Sequence, residues 1–352
     1  MIFSRRIMVG IAKPDRQVDR ERSILKIAIE DFIRTAAPVA SVRLKESYDL
    51  HISPASIRNT LHHLEMVGYL EHIYTSSGRI PTDSGYRLYV NELMGEPLVF
   101  SKEVSGIMNE LAEVSNSVED ILQISAEALA ELSKLFGFVV WSSTGESILT
   151  DLELLKLNSG KFLLILGFEY SGVESIVLDV STEVKESHLE LVRAILRDRL
   201  LGLKEGELQK SVPERLKDSE VSNSLIIKNM IANAHAYFKV NDKTFLCTSS
   251  KERLLANPEF SNSEEMQAIV AALDDEQVIT KSIEDLGDSS VAIGKENLVA
   301  TLRRCSVVVS HFGGENFTGH LGILGPTRLD YRKAQGLVNS LSSILPTVFD
   351  VS

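Results

Sequence analysis

The sequence predicts a multidomain α+β protein: a helix-turn-helix head with a β-hairpin, then a mixed domain interrupted by a largely helical insertion. At 352 residues the chain is too long for one ordinary hydrophobic core. The first 95 residues contain three helical patterns followed by a short strand-like run. One sheet is expected to start with the apolar strands near 138–180 and to finish with those near 291–324, so the mainly helical stretch between them is expected to be an insertion.

The first two predicted helices lie before residue 50. Residues 20–37 have the apolar spacing of an amphipathic helix, with Asp19 as its expected cap and Pro38 as its stop. A short second helix is expected from Ser41 to about Tyr48. The residues expected in the core are Leu25, Ala28, Ile29, Phe32, Ile33, Val42 and Leu44.

The third helix has clear start and stop signals. Ser53 is positioned to cap it, and Pro54 occupies the first helical position, where a missing N–H costs nothing. Gly68 suits the left-handed conformation that ends a helix. Its inner face is expected to consist of Ile57, Leu61, Leu64 and Val67.

A hairpin follows, with strands at 69–74 and 79–81 and a turn between them. Thr82 is expected to cap a helix that runs to about Met94. Further helices are predicted at 102–135 (two, with a break near 115–117), 186–203, 224–238, 264–273 and 331–345. Strands are predicted at 138–141, 163–166, 174–180, 291–293, 306–310 and 318–324.

The outward face of the third helix carries the first functional signal. It holds short hydrogen-bonding side chains and almost no acid, which suits a helix that enters the major groove of DNA. A surface helix with a small polar face is the alternative, and the preceding short helix and the following hairpin favour DNA. The predicted contact residues are Arg43, Lys45, Ser53, Ala55, Ser56, Arg58, Asn59, His62, His63, Ser77 and Arg79.

These residues are expected to have different roles. Arg58, Asn59 and His62 are stronger candidates for base or phosphate contact than His63, which lies nearer the edge of the polar face. Lys45 and Arg43 are expected to meet phosphates, with solvated surface charge as the alternative. Arg79, placed at the tip of the hairpin, is expected to reach a phosphate or the minor groove.

The charge distribution agrees with a DNA-binding head on an acidic body. The net charge is −12, but residues 1–95 hold 13 basic and 11 acidic side chains. All of the net negative charge therefore lies after the head.

Other site types have little support. Cys247 and Cys305 suit free thiols in a reducing compartment, and the histidines of the head lack metal-site spacing. The glycine-rich segment 311–320 lacks the Gly-Lys-Ser/Thr ending of a phosphate loop and is expected to be a hairpin loop. We therefore expect no catalytic residue, cofactor or metal. No signal peptide or membrane span is predicted, and the expected location is the cytoplasm, with residues 1–18 as an extension.

Several motifs resemble those of a known bacterial family, the heat-inducible transcription repressor HrcA. In the head they are Pro38-Val-Ala-Ser41, Ser53-Pro-Ala-Ser-Ile-Arg-Asn59, Leu64-Glu-Met-Val-Gly-Tyr-Leu70, Ser77-Gly-Arg-Ile-Pro-Thr82 and Gly85-Tyr-Arg-Leu-Tyr-Val90. Later motifs are Asn257-Pro-Glu-Phe260 and Gly319-His-Leu-Gly-Ile-Leu-Gly-Pro-Thr-Arg-Leu-Asp-Tyr331, in which Leu329 replaces the family's usual Met.

The resemblance implies more than the spacing does. It implies a winged-helix domain at 19–95, a GAF-like domain formed by 96–185 and 263–352, and an inserted dimerisation domain at 186–262. It further implies a homodimer that represses chaperone operons by binding an inverted repeat, is released on heat stress and is supported by the GroE chaperonin. The alternative is a metabolite-responsive winged-helix regulator with a small-molecule site in the GAF-like domain.

Overall fold

The computed structural model describes residues 16–72, 78–112, 118–158, 160–169, 172–180, 184–239, 244–260, 263–287, 290–314 and 316–349. The chain forms two compact units. The first comprises the described residues up to Leu98 with Val291–Ser306 and Gly325–Ala334, and the rest of the chain forms the second. The predicted multidomain α+β class is confirmed.

The head contains the predicted helices and hairpin. Its first helix begins at Arg16, so Asp19 lies in the first turn and its predicted role as the cap is wrong. The last helix changes to a π-helix over Tyr89–Leu93. The elements are α1 Arg16–Thr35, α2 Ser41–Ser47, α3 Pro54–Met66, β1 Leu70–His72, β2 Arg79–Pro81 and α4 Asp83–Leu88.

The core of the head lies between α1 and α3. Two residues that were expected to be in this core are exposed instead: Val42 is 49% exposed and Val67 is 50% exposed. Val67 follows the last residue of α3, where the backbone leaves the helical path, so helical periodicity no longer predicts its side. The buried apolar side chains include Ile24, Leu25, Ala28, Ile29, Leu44, Ile57, Leu61 and Leu64.

The hairpin is fixed to the helices at both of its strands. β1 pairs antiparallel with β2, with His72 opposite Arg79. Val39 adds a bridge on the outer side of β2, since its N–H and carbonyl both bond to Arg79. A Cβ on Gly85 of α4 would lie 2.2 Å from the Tyr69 carbonyl oxygen, so only glycine permits this approach.

Beyond the head, the described residues form two sheets and ten α-helices. The helices are α5 Ser101–Ala112, α6 Val118–Ser133, α7 Glu186–Leu200, α8 Glu205–Leu216, α9 Leu225–Ala232, α10 Ala234–Tyr237, α11 Glu252–Leu255, α12 Ser263–Asp274, α13 Glu276–Glu284 and α14 Tyr331–Phe349. The strands are β3 Phe136–Ser143, β4 Leu149–Asn158, β5 Lys161–Phe168, β6 Gly172–Asp179, β7 Thr244–Thr248, β8 Val291–Ile293, β9 Cys305–Gly313 and β10 Phe317–Pro326. Short 3-10 helices lie at Pro258–Phe260, Gly294–Glu296 and Ala300–Leu302.

The strands do not form the single sheet that the sequence predicted. One sheet has the order β7-β3-β10-β9-β8, whereas β4, β5 and β6 form a separate antiparallel sheet. The expectation that strands over 138–180 share one sheet is therefore wrong. Strand-like hydropathy identifies a strand but not its neighbours, because pairing is decided by distant residues.

In the amino-acid sequence, the three strands of the separate sheet come between β3 and β7, which pair with each other in the five-stranded sheet. β3 ends at Ser143 and β7 begins at Thr244, and Ser142 pairs with Thr244. The sheet of β4–β6 shares one apolar core with α7, α8 and α9. The domain boundaries remain a prediction, but this topology favours an insertion of residues 144–243 over the expected 186–262.

Other sequence expectations agree with the structure. A hairpin joins β9 to β10 within 311–320, where the N–H of Gly314 bonds to the Phe317 carbonyl, but its turn is shorter than the expected loop because β9 extends to Gly313 and β10 begins at Phe317. Both cysteines are free thiols, and burial raises the pKa of Cys305 to about 12. Within the described part of the chain, no helix has the length and apolar character needed to cross a membrane.

Gly137 provides a test of the packing between α6 and β3. A Cβ there would lie 2.3 Å from the Ala126 carbonyl oxygen, so Gly137→Ala should lower the free energy of unfolding by about 1–3 kcal/mol. Gly106→Ala is the control, since its Cβ would meet nothing within 4 Å and Ala favours the helix by about 0.5–1 kcal/mol. Denaturant unfolding measures both, and equal effects would contradict the close approach.

Candidate nucleic-acid interface

The helix α3 is held by a capping arrangement at each end. The Ser53 hydroxyl accepts a hydrogen bond from the Ser56 N–H at 3.1 Å, and Pro54 is the first helical residue. At the other end Gly68 has φ +83°, and the Tyr69 N–H bonds to the Leu64 carbonyl at 2.9 Å. The predicted start and stop of the helix are confirmed.

The outward face of α3 is exposed as predicted. Ser56 is half-buried beside the cap, and Met66 is 72% exposed at the end of the helix. The exposed predicted residues on and beside the helix are Ser53, Ala55, Arg58, Asn59, His62 and His63. Short polar groups therefore cover the surface that a base edge could approach.

Two cations at this surface have no ion-pair partner in the described part of the chain. Arg58 is exposed on α3, and Lys45 is exposed on α2. Because neither charge is neutralised by a nearby carboxylate, both are suited to phosphate contacts.

The side chain of Arg43 is held within the head. Its Nε donates to Asp31 Oδ2 at 3.0 Å, and its Nη2 donates to the Ala37 carbonyl at 3.0 Å. Asp31 is fully buried and also pairs with Arg34. Arg43 thus fixes α2 against α1, and its predicted contact with DNA stays a prediction.

Arg79 lies on β2, so its predicted position at the tip of the hairpin is wrong. Its Nε lies 2.8 Å from Glu65 Oε2, and its side chain is 12% exposed. The predicted contact residue Ser77 lies outside the described residues. Arg79 therefore links the hairpin to α3 through Glu65. Its predicted contact with DNA stays a prediction.

Glu65 contacts two of the predicted DNA-binding side chains, Arg79 and His62. Partial burial would raise its pKa, but the hydrogen bond and charge of Arg79 bring the pKa below its ordinary value. His62 Nδ1 lies 3.5 Å from the same carboxylate, and His63 Nδ1 lies 3.3 Å from Glu21. The carboxylate of Glu65 thus stays ionised near neutral pH and orients both Arg79 and His62.

Sequence reasoning missed these acidic partners. Glu65 follows His62 by three positions, which is contact spacing on a helix, so that pair was accessible from the sequence. Asp31 and Glu21 meet residues of other helices, and only the fold brings them together. No cluster of metal-binding side chains occurs among the residues that the structure describes.

Comparison with known proteins agrees with the resemblance found in the motifs. Residues 119–334 match the family model described as the HrcA protein C terminal domain. The chain is 30% identical to the heat-inducible transcription repressor HrcA of Chlorobium phaeobacteroides, over 93% of this chain and 97% of that protein. It is 31% identical to the protein of the same name from Carboxydothermus hydrogenoformans, over 94% and 97%.

A solved structure described as a hypothetical protein at 2.2 Å resolution has the same fold. Its TM-score is 0.59 at 22% identity, over 95% of this chain and 98% of that one. The similarity to curated relatives extends over nearly the whole chain, including the head, and the family model covers more than half of it. The chain therefore belongs to the HrcA family.

Proposed function

We propose that this protein is a heat-inducible transcription repressor that binds operator DNA through the outward face of α3. The exposed polar face of this helix carries the proposal, because it places Arg58 and Asn59 at the surface with Lys45 nearby. The curated relatives named as such repressors support the same activity. The metabolite-responsive alternative has no separate support in the described residues.

The finer features of the proposal follow from the family resemblance. The operator is an inverted repeat upstream of chaperone genes, bound by a homodimer, and warming releases it. The GroE chaperonin supports the active form. The protein acts in the cytoplasm, at the nucleoid when bound to its operator, without a catalytic step or a cofactor.

The three-stranded sheet offers a surface for the second copy. Leu155, Leu163 and Val177 form one cross-strand row on its outer face, opposite the face that α7 covers. Leu155 is 43% exposed and Val177 is 52% exposed. Exposed apolar rows of this kind mark interaction sites.

The edge of this sheet at β4 is covered by side chains. Arg193 donates to the Leu154 carbonyl at 2.8 Å, and Arg197 donates to the Leu152 carbonyl at 2.7 Å. Because these two carbonyls are already bonded, a strand from a second copy could not pair with them, and we take the outer face as the surface for association of two copies.

Mobility shifts with purified protein test the proposed activity. Binding should be tighter on an inverted-repeat duplex than on a scrambled repeat, and warming should release the specific complex. Equal affinity for the two duplexes would overturn the proposal. A small metabolite that releases the complex at constant temperature would support the alternative instead.

Asn59→Ala should relax sequence preference, because an amide on α3 reads a base edge. The expected loss of discrimination is about 1–3 kcal/mol between the operator and the scrambled repeat. Asn339→Ala is the control, an exposed helical Asn on α14. If Asn59→Ala weakens both duplexes equally, the residue contributes only to positioning.

Arg79→Ala should weaken operator binding about tenfold at low salt, because it leaves the Glu65 carboxylate uncompensated on a surface that faces phosphates. The double variant Arg79→Ala, Glu65→Gln removes both charges and should recover most of this affinity. Titrations by fluorescence anisotropy measure the two variants. A double variant as weak as the single one would show that Arg79 contacts DNA directly.

Leu155→Asp should convert the dimer into a monomer, because it places a charge in the apolar row. Leu191→Asp is the matched control, since Leu191 is also 43% exposed but lies on α7. Light scattering after size-exclusion chromatography gives the mass of each. Two dimeric variants would place the interface elsewhere.

A further inference from the structure

The helix α4 is tied to a distant part of the chain within the first unit. Arg87 Nε donates to Glu296 Oε1 at 2.9 Å, and Nη2 contacts the second carboxylate oxygen. The same Nη2 donates to the Val291 carbonyl at 2.8 Å. The guanidinium is therefore held in a bidentate ion pair and a backbone bond at once.

Asp83 of α4 makes a second connection to the same segment. Its Oδ2 accepts a hydrogen bond from the Lys295 N–H at 2.9 Å. Gly294 has φ +54°, and a Cβ on it would lie 2.3–2.4 Å from the carboxylate atoms of Asp83. Gly294 is thus required both by its backbone conformation and by the closeness of Asp83.

Residues 325–334 add contacts to α4, to α1 and to other residues of the first unit. The ring of Tyr331 lies 5.7 Å from that of Tyr86, and its hydroxyl lies 2.7 Å from Ser306 Oγ. Arg328 donates to the Ile33 carbonyl at the end of α1, and Arg332 donates to the Glu96 carbonyl. We call the contacts of Asp83, Tyr86 and Arg87 with Gly294, Lys295, Glu296 and Tyr331 the α4 seam.

The polar contacts of the seam differ in character from the core of the head, whereas its two tyrosines, Tyr86 and Tyr331, are buried. Arg87 and Glu296 have side chains that are 28% and 37% exposed, so their pair is in part screened by water. The apolar residues of α1 and α3 that hold the head together are not members of it. Loss of the polar contacts of the seam should therefore free the position of the head more than it reduces the stability of the head itself.

The position of α3 matters when two half-sites must be bound together. A dimer on an inverted repeat needs its two recognition helices about one helical turn of DNA apart. If the heads are loosely tethered, the second contact forms at a lower effective concentration, while contact with one half-site is unaffected.

We infer that Asp83, Arg87, Gly294 and Glu296 are positioning residues for operator binding, and that the α4 seam fixes α3 for simultaneous contact with both half-sites. This inference rests on the proposed function. It predicts a specific loss: affinity for the full inverted repeat falls, while affinity for one half-site does not.

Gly294→Ala and Gly287→Ala provide a matched pair. Gly287 has φ +53° and no atom within 4 Å of its Cβ position, so both substitutions strain the backbone alike but only Gly294→Ala displaces Asp83. Gly294→Ala should bind the full repeat about tenfold more weakly and the half-site within about twofold of wild type. Gly287→Ala should bind both duplexes as the wild type does.

Arg87→Gln and Arg22→Gln provide a second pair that avoids backbone strain. Each removes one ion pair of the head, with Glu296 and Glu92 respectively, but only the first pair belongs to the seam. Arg87→Gln should reproduce the selective loss on the full repeat, and Arg22→Gln should not. Circular dichroism and thermal unfolding show whether each variant is folded.

The outcomes separate the inference from the proposed function. If wild type does not prefer the inverted repeat to a scrambled one, the proposed function fails. If wild type shows that preference and the folded seam variants lose equal affinity on full and half sites, or none, the seam does not position the head.

Discussion

The constraint on which the rest of the head depends is the packing of the inner face of α3 against α1. Ile57 and Leu61 are completely buried, and Leu64 is nearly so. With about 100° of rotation per residue, fixing these three positions fixes the direction of every other side chain on the helix. Arg58 and Asn59 are exposed because the burial of Ile57 and Leu61 turns them to the opposite side of the helix. The surface proposed to read DNA is therefore a direct consequence of the core.

Acidic side chains determine which basic groups of the head remain available. Asp31 holds Arg43 and Glu65 holds Arg79, so two of the predicted contact residues already have partners inside the protein. Asp31 is fully buried and would be costly to leave unpaired, which favours a structural role for Arg43. Lys45 and Arg58 have no such partner among the described residues. The electrostatic attraction of the head for DNA thus depends on how its few cations are distributed, more than on its small net charge.

The sequence was informative where local chemistry decides the structure. The capping residues Ser53 and Gly68 marked both ends of α3, and apolar periodicity identified its buried side. β7 was missed because Thr244–Thr248 is short and has partly exposed side chains, so its identity as a strand depends on pairing with β3. The bond between Arg79 and Glu65 joins residues that are 14 positions apart, and the bond between Arg87 and Glu296 joins residues that are 209 positions apart. No local pattern encodes such contacts, because they arise only after the chain has folded.

The strength of the contacts in the head suggests how stability and placement can be separated. A partly exposed ion pair such as Arg87–Glu296 contributes at most about 1 kcal/mol, whereas burying one large apolar side chain contributes about 1.5–3 kcal/mol. The core of α1 and α3 therefore contributes more to keeping α3 folded than the Arg87–Glu296 pair does. Gly294 makes these contacts possible by leaving room for Asp83, so one glycine far from α3 in sequence affects how α3 is held. Loss of the polar α4 contacts would free the position of the DNA-binding helix without unfolding it, and such local release costs less free energy than global unfolding.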